Sequence, residues 1–394
     1  MDDWVILKDF SLKNYGFNSV NLESYNGNPM FFSRVLIIIV TEILNLKIST
    51  MAFALFALYT TFLYFFAFKI TRLMHNKDWI RLGIIVIGLN LNQYQNFVMP
   101  ICWPWIISLM VFYGAFLLSI DNLNTFKYLF LSFLLFASPQ IFSLGFILPI
   151  GLTIITILSI FVKKLTLGRI VLVFLSMVSI SISYFISIES NKDVHESTFG
   201  LIPVYDNPLG ALTFMLSSLG APFTPASRYA TNISLFFGIL IFLLIVWIYT
   251  RKRLQSNLNA KHLVIYGLVF HLLQLLARFD GSNESLQIVN QPRYTTGGLV
   301  LIMGVFLAYA PEIQSKRKFL AVYFMLSVMF ISGLKTSWDF AQIRGDASKQ
   351  IENCLSNYGY QNQVCIAMLN PGAEILSTTE FIDALEYVSR RGTR

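Results

Sequence analysis

The sequence predicts an all-α fold, a polytopic integral membrane helix bundle of about ten membrane helices with outward-facing polar loops. Three observations carry that prediction. The 394 residues are 55% hydrophobic but only 13% charged, with a mean hydropathy of +0.63, whereas soluble domains hold about 25% charged residues. Long apolar stretches recur, separated by short polar segments. The basic residues also gather in alternate loops, which is the charge signature of a membrane topology.

Residues 1–47 form the first segment, an outward-facing N-terminal loop that ends in an interfacial helix. Met1 is followed by Asp2, Asp3 and a mostly polar run with no basic start, so no cleavable signal peptide is read there. Arg34–Lys47 is apolar but bounded by charges, and at ~1.5 Å per residue it is too short to span a bilayer. A helix lying in the outer interface fits it better. On that helix Arg34 and Glu42 fall on one side and are expected to pair.

Residues 48–334 form the bundle. Its expected helices are Met51–Phe68, Arg81–Leu91, Ile101–Ile120, Thr125–Ser138, Ile141–Val162, Arg169–Ile188, Asn232–Thr250, Leu263–Leu276, Thr295–Ala310 and Phe319–Leu334. Several are shorter than the ~20 residues a bilayer requires, which points to broken or tilted helices lining a cavity. Ser138-Pro139-Gln140 and Gly145 to Pro149 mark one such break. Between Asp206 and Arg228 runs a segment rich in prolines and glycines, read as a structural lid folding over the cavity.

The loops Lys69–Arg81, Asp121–Lys127, Lys163–Arg169, Arg251–Lys261 and Lys316–Lys318 hold more than half of the 29 basic residues. They are therefore cytoplasmic by the positive-inside rule. Of the 21 acidic residues, Asp78, Asp121 and Glu312 alone fall on that side. The net charge of +8 is thus a topology signal, and no nucleic-acid partner follows from it. This topology places the N-terminal segment outside with no upstream helix to carry it across. Either it crosses unaided, or a first membrane helix precedes Met1; the second is the expectation here.

Residues 335–394 read as an outward-facing C-terminal tail. Cys354 and Cys365 lie within it. Outside the cytoplasm they can close a disulfide loop; in a reducing compartment they are two unrelated thiols. Cys102, at a helix start, is read as packing.

The chemistry is sparse. The four histidines (His75, His195, His262 and His271) make no metal-ligand spacing, and no nucleotide-binding loop or nucleophile elbow is present. No cofactor or metal is implied, so a substrate must arrive already activated. The most informative segment runs from Arg278 to Arg293-Tyr294, where a late apolar helix begins. A guanidinium at a helix mouth holds two phosphate oxygens at once, which makes a lipid-linked phosphate the first ligand to consider. The alternative is an interfacial anchor that snorkels. Asp2 and Asp3 are the candidate catalytic carboxylates. Beside a bilayer a carboxyl can serve as general base toward a sugar hydroxyl, or the pair is an ordinary solvated N-terminus.

Asp2-Asp3-Trp4, then Phe31-Phe32-Ser33-Arg34, then Gln93-Tyr94-Gln95-Asn96-Phe97, then Arg293-Tyr294 follow one another in an order that resembles the bacterial GT-C glycosyltransferases. In particular the chain resembles the polyprenyl-phosphate-glucose-dependent enzymes that decorate O-antigen. The resemblance implies a base at Asp2 or Asp3 and a phosphate-binding role for Arg293, with Tyr294 and Arg278 beside it. It also puts Gln95, Asn96 and Arg34 at the cavity. Asn26-Gly27-Asn28-Pro29 departs from the family's pattern, which carries Glu and His there; this weakens a catalytic claim for Asn26 and Asn28 and leaves them the role of shaping the acceptor pocket.

The implied activity is inverting transfer of a sugar, glucose being the expected one, from a polyprenyl-phosphate donor to a surface glycan of lipopolysaccharide. The implied setting is the inner membrane, with the lipid bilayer as a further partner and the active site facing the periplasm. Two alternatives stand beside it. An O-antigen polymerase would favour two arginine-rich outer loops, and the loop Glu189–Thr231 carries only Arg228. A lipid-linked sugar flippase would favour internal repeats and ionisable residues at the midplane, neither of which the sequence offers.

Overall fold

Each of the ten apolar stretches is helical in the computed structural model. It describes Phe32, Val35, Ile39 and residues 48–358, apart from 73, 75–76, 94, 99–101, 121–123, 161–166, 191–200, 226–230, 252–256, 283–284, 290–291 and 311–315. The long helices are α1 (Ile48–Ile70), α2 (Lys77–Gly88), α3 (Trp103–Ile120), α4 (Thr125–Ile141), α5 (Ile147–Ile160), α6 (Leu167–Ser190), α7 (Pro208–Gly220), α8 (Thr231–Thr250), α9 (Leu258–Arg278), α10 (Pro292–Tyr309) and α11 (Lys316–Tyr358). Among the described residues there is no strand. Asparagines start three of these helices: Asn124, Asn207 and Asn257 each accept from the backbone N–H three residues on, at 2.9–3.1 Å, supplying a partner that a first turn lacks.

Among the described residues three helices are long and apolar enough to cross a membrane: Thr50–Ile70, Thr231–Thr250 and Leu258–Arg278. Shorter apolar helices accompany them in α3, α5, α6, α7 and α10. The outward faces are hydrocarbon: Phe53, Phe65, Phe126, Phe174, Phe236 and Phe324 are all exposed. A protein dissolved in water rarely leaves so wide an apolar surface uncovered, whereas lipid solvates it without cost.

Inside, an aromatic ladder joins α1, α3 and α9. Phe66 packs on Tyr113 at 4.5 Å and on Phe116 at 5.6 Å, and Phe112 meets Tyr266 edge-on at 5.0 Å. At the basic end Arg81 bonds Asp78 and Thr71 at 3.0 Å and lies over Phe68, pinning the turn between α1 and α2.

Helices α9 and α10 form the tightest antiparallel pair. Gly267 faces Leu301, Gly297 faces the Phe270 ring and Gly304 faces the Val264 backbone. Small residues are what allow two helix backbones to approach this closely. The pairing fixes the last turn of α9, carrying Arg278, and the first turn of α10, carrying Arg293 and Tyr294, at one end of the molecule.

Three local expectations change. The break near Pro139 is real but lies one turn later: α4 continues through Pro139 to Ile141, Phe142 is extended, and a 3₁₀ turn spans Ser143–Phe146. Gly145 makes this possible, because a Cβ there would collide with the Ser138 carbonyl. The segment read as a lid is instead helix α7 followed by a 3₁₀ turn, Ala221–Phe223, whose residues are buried. Its residues are turn formers, but Asn207 caps it and Pro208 opens it, and proline suits a first helical turn. Arg228 lies outside the described residues, and Asp206 is exposed.

The last helix does not stop at Leu334. Helix α11 runs 43 residues to Tyr358, about 65 Å at 1.5 Å per residue and twice a hydrocarbon core. Rising charge beyond Leu334 suggested an end, yet no proline interrupts the chain before Pro371 and Lys335 pairs with Asp339 one turn on. Cys354 is disulfide-bonded and Cys102 is buried; Cys365 lies outside the described residues.

Candidate functional site

The end of the bundle that carries Arg278 and Tyr294 is built on a clasp of asparagines. After α2 the chain turns through Leu91–Gln93 and a one-turn helix, Gln95–Val98. Asn90 and Asn92 each donate an amide N–H to the Pro222 carbonyl, at 3.0 and 2.9 Å. Asn92 also donates to Ser332 Oγ at 3.2 Å and accepts from Thr336 Oγ1 at 3.0 Å. Three distant pieces of chain are thus tied by one buried side chain. Asn92→Ala strands buried partners on two of them and should cost about 2 kcal/mol, read as a lowered melting temperature of the detergent-purified protein.

Against this clasp sits the mouth. Arg278 ends α9 half-buried, its guanidinium 5.4 Å from the centre of the Tyr294 ring, a cation–π distance. Tyr294 is buried and meets Trp105 of α3 edge-on at 5.6 Å. Trp105 in turn packs on Phe142 at 4.9 Å. Among the described residues no carboxylate pairs with Arg278. The same stretch brings in Asn96, buried, whose amide donates to Thr296 Oγ1 in the first turns of α10.

Four of the six expected binding residues therefore gather here: Arg278, Tyr294, Asn96 and, by its backbone in the first turn of α10, Arg293. Gln95 is placed by its backbone alone, in the short helix before α3. Asp2, Asp3, Arg34 and Glu42 lie outside the described residues. Asn96, expected to line the cavity, is buried; its amide ties the loop to α10, while its Oδ1 has no partner among the described residues.

The turn after Arg278 is shaped by its own polar groups. Phe279 is extended and its N–H returns to the Leu275 carbonyl at 3.0 Å. Gly281 adopts a φ of +86°, a conformation glycine adopts freely, and its carbonyl accepts from Asn207. Asp280 accepts from the Ser282 N–H at 2.8 Å. Partial burial pushes the Asp280 carboxyl up, but hydrogen bonds from Ser282 and Ser285 outweigh it and hold it below its usual range. A lowered folded pKa stabilises above the ordinary carboxylate pKa and loses that contribution as pH falls through the lowered value. Asp280→Asn should thus lower the melting temperature slightly near neutral pH and leave it unchanged in acid.

Below the mouth, α9 carries polar residues that sequence reasoning passed over. His271 and Gln274 lie on the face of Arg278, at spacings of seven and four residues. His271 Nδ1 is 2.8 Å from Ser218 Oγ on α7, while His271 Nε2 and both amide atoms of Gln274 are buried without a partner among the described residues. Each such atom costs roughly 1–3 kcal/mol. The signal was present in the sequence as a His and a Gln inside an apolar helix, which in a membrane marks function by default. The histidines were weighed only as metal ligands. Trp105 carried no such signal, since a tryptophan in an apolar run is ordinarily packing.

A scan against protein-family models, a search of curated proteins and a search of solved structures each found no match to this chain.

Proposed function

We propose that this chain is a membrane glycosyltransferase of the GT-C type, moving a sugar, glucose being the expected one, from a polyprenyl phosphate to a surface glycan. The observation that carries the reading is the mouth. A half-buried guanidinium with no carboxylate partner among the described residues is held over Tyr294, beside the first turn of an 18-residue helix that contains Arg293. A helix N-terminus and two arginines together suit a phosphate. In this reading the ten apolar helices cross the bilayer, with short ones tilted or broken. The basic loops are cytoplasmic and the mouth opens outward. The disulfide at Cys354 supports an oxidising outer side for the end of α11.

The reaction follows from that grip. Asp2 or Asp3 removes the proton from an acceptor hydroxyl. The hydroxyl oxygen attacks the anomeric carbon, the bond from that carbon to the phosphate oxygen breaks, and configuration inverts. Arg278 and Arg293 hold the negative charge that grows on the departing phosphate, where preorganised positive charge has its largest effect on rate.

The test is transfer by the purified chain in lipid nanodiscs, given polyprenyl-phosphate [¹⁴C]glucose and a surface polysaccharide. Label entering the polysaccharide, with release of polyprenyl phosphate, supports the reading. Movement of labelled lipid between leaflets without transfer would replace it with a flippase.

A further inference from the structure

The polar stripe of α9 changes chemistry with depth. Arg278 at the outer end is a cation; Gln274 and His271, one and two turns further in, are uncharged hydrogen-bonding groups or can be. His271 lies about 10 Å along the axis from Arg278 at 1.5 Å per residue. Gln274 is 6% exposed and His271 1%, so bulk water does not serve their free atoms.

The hydrogen bonds around His271 say what is missing. The Ser218 hydroxyl donates its one proton to the Met215 carbonyl at 2.8 Å. Its oxygen therefore accepts in the 2.8 Å contact with the ring, and the ring proton sits on Nδ1. A neutral ring in that tautomer presents Nε2 as a bare acceptor. The atom calls for an O–H or N–H donor and would repel a phosphate oxygen. Gln274 offers a donor and an acceptor together. Gly298 of α10 stands opposite: a Cβ there would lie 3.4 Å from Nε2 and 3.3 Å from Pro222 Cγ. A methyl there would press on the ring and on Pro222, so the glycine keeps α10 off the nitrogen.

We infer that Gln274 and His271 form a sugar-reading subsite, taking hydroxyls of the glycosyl group whose phosphate is held at Arg278. The inference rests on the transferase reading and deepens it, because it assigns the donor sugar to named residues. A hexose supplies neighbouring hydroxyls that both donate and accept, which matches the amide and the bare nitrogen. Ordered water carries the same chemistry, and the experiment separates the two.

The experiment measures binding of two probes to the purified chain in nanodiscs: a short-chain polyprenyl phosphate, and the same lipid bearing one glucose. Wild type is expected to bind the glucosylated lipid about tenfold more tightly, the worth of one or two matched hydrogen bonds. Gln274→Leu should erase that preference while leaving affinity for the bare phosphate unchanged. It should still fold, because removing an orphan amide leaves no new unpaired group. Gly298→Ala, which sets a methyl 3.4 Å from Nε2, should reduce the same preference with every polar group in place. Arg278→Ala should weaken both lipids equally. A preference that survives Gln274→Leu and Gly298→Ala overturns the inference alone and leaves the atoms to water. A wild type that binds neither lipid overturns the transferase reading and the inference with it.

Discussion

Arg278→Ala is expected to lower sugar transfer by about 10²–10³-fold, or roughly 3–4 kcal/mol in the barrier, with folding intact. The magnitude is that of losing one preorganised partner for developing charge in a site shielded from water. Folding should survive because the guanidinium is only half-buried and its described contact is the Tyr294 ring. Such a contact is worth about 1 kcal/mol. Arg278→Lys separates charge from geometry. An ammonium keeps the charge but loses the two-toothed grip and the flat stacking surface. It should restore transfer only in part, by about tenfold over alanine, measured as initial rates with labelled donor. Full activity in Arg278→Ala would leave Arg278 as the interfacial anchor of the alternative reading.

The second large effect falls on the fold. Helices α7 and α8 meet backbone to backbone: a Cβ on Gly238 would collide with the Leu216 carbonyl, and one on Gly220 with the Ser234 carbonyl. Neither neighbour is the movable end of a side chain. Gly238→Ala must push the helices apart, at about 3 kcal/mol, the upper end for an added methyl in a packed interior. The consequence spreads, because α7 leads into the Pro222 carbonyl that anchors Asn90 and Asn92. Gly114→Ala is the control. Its Cβ would meet only Phe62 at 4.0 Å, so the intrinsic preference of helices for alanine should leave stability unchanged or slightly higher. Thermal unfolding in one detergent compares the two, and equal melting temperatures would contradict the packing described.

Much of the fold was legible because apolar runs bounded by charge leave the backbone few options in lipid. All ten stretches are helices, with ends shifted by a few residues. The failures have different causes. Residues 208–224 are apolar, but their prolines and glycines read as a loop; residues 335–358 are too polar for hydropathy to mark them as a helix. What makes them helical is capping by Asn207 in one case and the absence of a breaker in the other.

At the site, Arg278 and Tyr294 were legible as a pair because they flank one loop. Their contact depends on three glycines, Gly267, Gly297 and Gly304, letting α9 and α10 close on each other. The tie from Asn96 to Thr296 spans 200 residues, and no local pattern could reveal it. The stripe of His271 and Gln274 was legible in principle, since burying such groups in lipid has to be justified by a partner or a ligand. Asp2 and Asp3 rest on the resemblance alone.

The most direct measurement is mass spectrometry of surface polysaccharide from cells with this chain, without it, and with Arg293→Ala at matched membrane levels. The account predicts one added hexose per repeat with the chain, and its loss both without the chain and in the variant. Unchanged repeats with altered chain length, or a hexose that persists in Arg293→Ala, would contradict it.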